Sequence, residues 1–111
     1  MRKENDLREC IKDSELMVCH LDNMSLSIEV DGITLKRIIW DKVNTIKMEL
    51  KGLDLLWIFE GDFGELVLPV GIKNEEQLLS FVQVQFKKFD NEKLIEAMTS
   101  LNSGEFNLWK R

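Results

Sequence analysis

The residues of this chain best suited to chemistry begin with a neighbouring pair, Cys19 and His20, the second being its one histidine. A thiol beside an imidazole is the raw material of a cysteine nucleophile. With Cys10, the pair is also the beginning of a zinc set. Spacing argues against both uses. No CxxC or HxxxH accompanies the pair to complete a ligand set. If residues 16–21 form a strand, Cys19 and His20 point to opposite faces and do not meet. No GxSxG elbow, GxGxxG loop or Walker-type loop occurs. The expectation is a non-enzymatic protein that uses no cofactor and no metal.

Carboxylates are more plentiful. Glu60, Asp62 and Glu65 gather at one turn, but a calcium loop needs acids at alternate positions and a closing Glu, for which this bend is too short. The stretch 52–71 holds Asp54, Glu60, Asp62 and Glu65 with no Lys or Arg, and interleaves Trp57, Phe59 and Phe63. Phe63 falls at the expected turn tip, between Gly61-Asp62 and Gly64. A ring facing outward among carboxylates has the form of an interface anchor inside a charged rim. Glu60, Asp62, Phe63 and Glu65 are therefore the expected partner-binding residues, and a basic protein is the partner they fit.

Composition agrees with that direction. The 111 residues carry a formal charge of −5, are 44% hydrophobic and 32% charged, and so describe one globular domain over 1–111. Acidic balance disfavours nucleic acid, whose phosphates call for a basic surface. The first residues mix both charge signs, with no apolar run of export or membrane type. A cytoplasmic location and no membrane partner are expected, with a homodimer left open.

The elements that must position these groups follow from periodicity. Residues 1–15 form a short helix or fray. Met24, Leu26, Ile28 and Val30 alternate with polar residues, as in a half-buried strand. Asp31-Gly32 makes a two-residue hairpin turn, and Ile33 and Leu35 begin the return strand. Ile46, Met48 and Leu50 mark a third strand. Residues 54–60 are apolar on both faces, which places that strand centrally in the sheet or under cover on both sides. Leu66, Val67 and Leu68 follow, ended by Pro69. The sheet thus spans 24–70, a curved antiparallel meander of five or six strands.

Helical cover is expected over 74–101. Asn74 caps the first helix with Gln77 reaching back, and Glu75 and Glu76 supply charge to its first turn. Leu78, Val82 and Phe86 recur along one face. Asp90 caps a second helix carrying Leu94, Ile95, Met98 and Leu101. Residues 105–111 read as an aromatic tail. Trp40 belongs to the core, while Trp109 either pins the tail or forms a homodimer contact. The class is α+β.

From about Ile38 onward the chain resembles a known kind. The carriers are Trp40-Asp41-Lys42-Val43-Asn44-Thr45-Ile46, the Asp-led apolar strand 54–59, the amphipathic helix, and Phe106-Asn107-Leu108-Trp109-Lys110-Arg111. The chain is similar to small bacterial proteins of the pleckstrin-homology-like class, some of which resemble immunity proteins that neutralise a toxin. The resemblance implies occlusion of a basic toxin domain. Alternatively, it implies a lipid- or ligand-binding module.

Overall fold

The computed structural model describes residues 17–111; the expectation for residues 1–15 lies outside them. Seven strands and two helices run in the order β1 (Met17–Leu21), β2 (Ser25–Val30), β3 (Ile33–Ile39), β4 (Val43–Lys51), β5 (Asp54–Gly61), β6 (Gly64–Pro69), α1 (Glu75–Gln85), α2 (Asn91–Thr99) and β7 (Gly104–Lys110). The class is α+β. The strands do not form one meander, however. They make two antiparallel sheets, β1-β2-β3 and β6-β5-β4-β7.

The divide falls at a single 3-10 turn, Trp40–Lys42, between β3 and β4. Trp40 is buried, as expected of a core residue. Its main-chain N–H donates to the Met24 carbonyl at 2.9 Å, and its indole N–H donates to the Asp22 carbonyl at 2.9 Å. These bonds hold the corner against the β1–β2 loop, so the chain leaves one sheet and enters the next.

At the β2–β3 hairpin, Asp31 (φ 53°) and Gly32 (φ 79°) both lie in the left-handed region, as a primed two-residue turn requires. Ladder pairing then slips. Ile28 faces Lys36 while Glu29 faces Thr34, which leaves Leu35 as an extra residue. Ile33 and Leu35 begin the return strand as expected, and both are exposed.

α1 buries Leu78 and Val82, and Phe86 just beyond it is buried too. Asn74 occupies the N-cap with φ 74° but makes no side-chain cap. Its amide donates instead to the Cys19 carbonyl at 3.1 Å, tying the helix start to β1. Glu75 is more than first-turn charge. Its carboxylate accepts the Trp57 indole N–H at 2.8 Å and the Gly71 N–H at 3.1 Å, clamping α1 to β5. Asp90 caps α2 as expected, accepting from the Lys93 N–H at 2.9 Å. α2 buries Leu94 and Ala97, a three-residue step, and leaves Ile95 and Met98 exposed, while Leu101, expected on the helix, lies beyond its end at Thr99.

The largest correction concerns 105–111, which is a strand and not a tail. β7 pairs with β4 from Thr45↔Lys110 to Leu50↔Gly104, with a bulge beside Ile46 and Lys47. The bulge brings Leu108 into the core, while Trp109 packs edge-on against Phe86 at 4.7 Å. The Trp109 indole N–H donates to the Lys87 carbonyl at 3.0 Å, so this residue pins its strand to the segment after α1. One hydrophobic core joins the inner faces of both sheets to both helices. No helix among the described residues is long and apolar enough to cross a membrane.

Candidate protein-interaction surface

β5 lies between β6 and β4, and alternation gives it two apolar faces. Trp57 and Phe59 turn inward to the shared core, their rings stacked at 5.9 Å. Leu56 and Ile58 turn the other way, onto a face that no sheet or helix among the described residues covers. Ile58 is only 4% exposed yet stands outside the shared core. Its neighbours across the ladder, Lys47 on β4 and Val67 on β6, flank it directly. The next row pairs Leu56 with Pro69. Val67, at the sheet edge, is 40% exposed. The centre of this outer face is therefore apolar, with Ile58 buried beneath its neighbours and Val67 and part of Leu56 reaching solvent.

Its rim is acidic. Glu60 and Glu65 stand directly opposite one another on β5 and β6, and Glu49 stands opposite Glu105 on β4 and β7. Lys47 reaches two of the four, Glu60 at 3.4 Å and Glu105 at 3.3 Å. Burial would lower the Lys47 pKa, but its bonds to Glu105 and Glu60 outweigh that and hold it above its ordinary value. Glu60 also accepts the Thr45 hydroxyl at 2.7 Å. That bond, ahead of the Lys47 pairing, draws the Glu60 carboxyl below its usual range despite some burial.

The four residues expected at the β5–β6 turn are placed differently from one another. Asp62 and Glu65 are exposed and form no ion pair among the described residues. Glu60 is held by Thr45 and Lys47. Phe63 does not project as an anchor. It is half-buried, packs against the core, and lies so close over Gly61 that a Cβ there would come within 2.7 Å of its ring. The Lys36 ammonium sits 6.0 Å from the ring centroid and donates to the Glu65 carbonyl at 2.7 Å. The bare Gly61 backbone lets the ring fold back, and Lys36 covers it. The outward apolar centre consists of Leu56, Ile58 and Val67 instead. The sequence signal for it was the second apolar face of residues 54–60.

Cys19 and His20 do point apart. Cys19 is fully buried, with its thiol 3.4 Å from the Lys73 carbonyl, and burial pushes its pKa up to about 11. His20 is outside, 3.2 Å from Glu29. A thiol so difficult to ionise is a poor nucleophile and a poor metal ligand. No family model matches the chain, and no curated protein or solved structure matches it.

Proposed function

We propose that this chain is a non-enzymatic protein-interaction domain that receives a basic partner on the outer face of its four-stranded sheet. One observation carries the reading. Half-buried Leu56 and exposed Val67 present apolar surface around the buried Ile58, beside the ladder partners Glu60 and Glu65. The Glu60 carboxylate is turned to Thr45 and Lys47 on β4, while Glu65 forms no ion pair among the described residues. A lysine or arginine from a partner would give Glu65 a charge-assisted bond that it lacks within the chain. The apolar centre supplies desolvation, and the acids supply steering and register. Asp62, at the adjoining turn, extends the acidic rim. Phe63 supports the turn from behind. In its narrower form, guided by the resemblance to immunity proteins, the proposal makes the partner a basic toxin domain that is neutralised by occlusion.

The test uses the chain as bait in extract of the source cells, followed by reconstitution with the purified captured protein. A basic partner is expected, with association that weakens as salt rises. Val67→Glu should abolish binding, and the Glu60→Lys, Glu65→Lys double variant should reverse its charge preference. Equal binding by these variants, each shown to be folded, would remove this face from consideration.

A further inference from the structure

A second feature lies where α1 ends, away from the outer sheet face. Aromatic rings converge there in a chain whose overall charge is acidic. Trp40 stacks on Phe81 at 4.7 Å and meets Phe86 edge-on at 5.8 Å; Phe86 in turn meets Trp109. Between these rings opens a cleft of about 450 Å³, within the range of small-molecule sites. Trp40 and Phe86 are buried and form its back wall, while the half-buried Phe81 and Trp109 offer ring surface to an occupant.

The rim of this cleft is cationic. Lys87, Lys110 and Arg111 line it, against a single acid, Asp41. Arg111 is held in place by bonds to the Asp41 and Val43 carbonyls, each 2.7 Å, and to the Asn44 side chain at 3.2 Å. Its guanidinium lies 5.8 Å from the Trp109 ring centroid. The indole N–H groups of Trp40 and Trp109 are likewise bonded to main-chain carbonyls. The cleft is therefore preorganised and not free to collapse.

These features select a ligand class. The Arg111 fork is largely committed to carbonyls, so it does not offer the bidentate clamp that suits a phosphate. The ammonium groups of Lys87 and Lys110 make no hydrogen bond or ion pair among the described residues. They act as point charges at the mouth of an aromatic slot. We infer that the cleft binds a small planar aromatic carboxylate, its ring against Phe81 and Trp109 and its charge toward Lys87 and Lys110.

Nuclear magnetic resonance on the intact chain tests this, with 2-naphthoate as the probe. Saturable shifts of the Trp109 indole N–H are expected, while the Trp57 indole N–H, clamped by Glu75 on the core side, stays still. Acetate, inorganic phosphate and 2-naphthylmethylammonium should each fail to produce them. The Lys87→Glu, Lys110→Glu double variant should weaken 2-naphthoate binding about tenfold or more. Phe81→Ala, with the Trp57 signal unmoved as proof of folding, should weaken it comparably. Equal binding of the cationic analogue, an unchanged affinity in the charge-reversed variant, or no saturable shift would each overturn the assignment. Val67→Glu should leave 2-naphthoate binding intact, so this result stands apart from the fate of the sheet face.

Discussion

Glu60 and Glu65 face each other across the β5–β6 ladder as direct partners, and of these two the Lys47 ammonium pairs with Glu60 and not with Glu65. The lysine nearest Glu65, Lys36, bonds its main-chain carbonyl and not its carboxylate. Glu65→Gln, a change at an exposed carboxylate without an ion pair among the described residues, should therefore leave the free protein's stability within about 0.5 kcal/mol in urea unfolding. The same change should weaken binding of the basic partner. Binding lost without loss of stability is the signature of a charge kept for recognition, and a loss of both would contradict it.

Trp57 tests the clamp between α1 and β5. Its ring is 1% exposed and its indole N–H donates to Glu75. Trp57→Ala should cost about 3–5 kcal/mol through the cavity it leaves. Trp57→Phe keeps most of the packing but removes one of the two bonds to the Glu75 carboxylate, leaving that from Gly71, at about 1–3 kcal/mol. Chemical denaturation of both variants separates the ring from its N–H. A phenylalanine variant as stable as wild type would show the clamp to be idle.

Gly61 is required by space. A Cβ there would collide with the Lys42 carbonyl oxygen and press on the Phe63 ring. The carbonyl is backbone and cannot swing aside as a side chain would. Gly61→Ala should cost about 1–3 kcal/mol, read as a fall in the urea midpoint. Gly104→Ala, where the added methyl meets open space, serves as the control and should be nearly silent.

Acid should selectively remove the Thr45–Glu60 bond. The Glu60 carboxyl is held below its ordinary range, first by the Thr45 hydroxyl and then by Lys47. A depressed folded-state pKa contributes stability above the unfolded value of about 4.3. That stability is lost as pH falls through the folded value. The melting-temperature gap between wild type and Thr45→Val should thus be open at neutral pH and close below pH about 4. A gap independent of pH would show that Glu60 is not its source.

Cys19 should be unreactive while the protein is folded. Its pKa rises from 9.0 to about 11, so at pH 8 the thiolate is about a hundredfold scarcer before burial adds its own obstruction. In a Cys10→Ser chain, iodoacetamide should modify Cys19 rapidly in urea and barely at all without it. Fast native alkylation would mean that β1 opens readily.

Much of this architecture is written in short-range pattern. Asp31-Gly32 specifies its hairpin through backbone freedom, Asp90 caps α2 through one side-chain oxygen, and Leu78 and Val82 orient α1 by their spacing. What the pattern does not carry is contact between distant segments. The split into two sheets depends on Trp40 reaching the Asp22 carbonyl, a bond between loops that are separate in sequence. β7 reads as a tail because its ladder partner lies on the far side of two helices. For the candidate surface, Glu60 and Glu65 are legible as turn acids, and the two apolar faces of residues 54–60 are legible too. Which face stays open is decided by where α1 and α2 dock. The fate of Phe63 had a local clue in Gly61, a bare stretch of backbone on which a ring can lie, but its cover comes from Lys36 on another strand.

The β4–β7 ladder has a consequence for how the molecule is assembled. Until Gly104–Lys110 arrives, one hydrogen-bonding edge of β4, from Thr45 to Leu50, has no mate. A pairing so distant along the chain must close a long loop, at a cost in chain entropy. During that interval an apolar edge is exposed that another copy can occupy. The addition of β7 covers the β4 edge and leaves β7 itself as the outermost strand of the sheet.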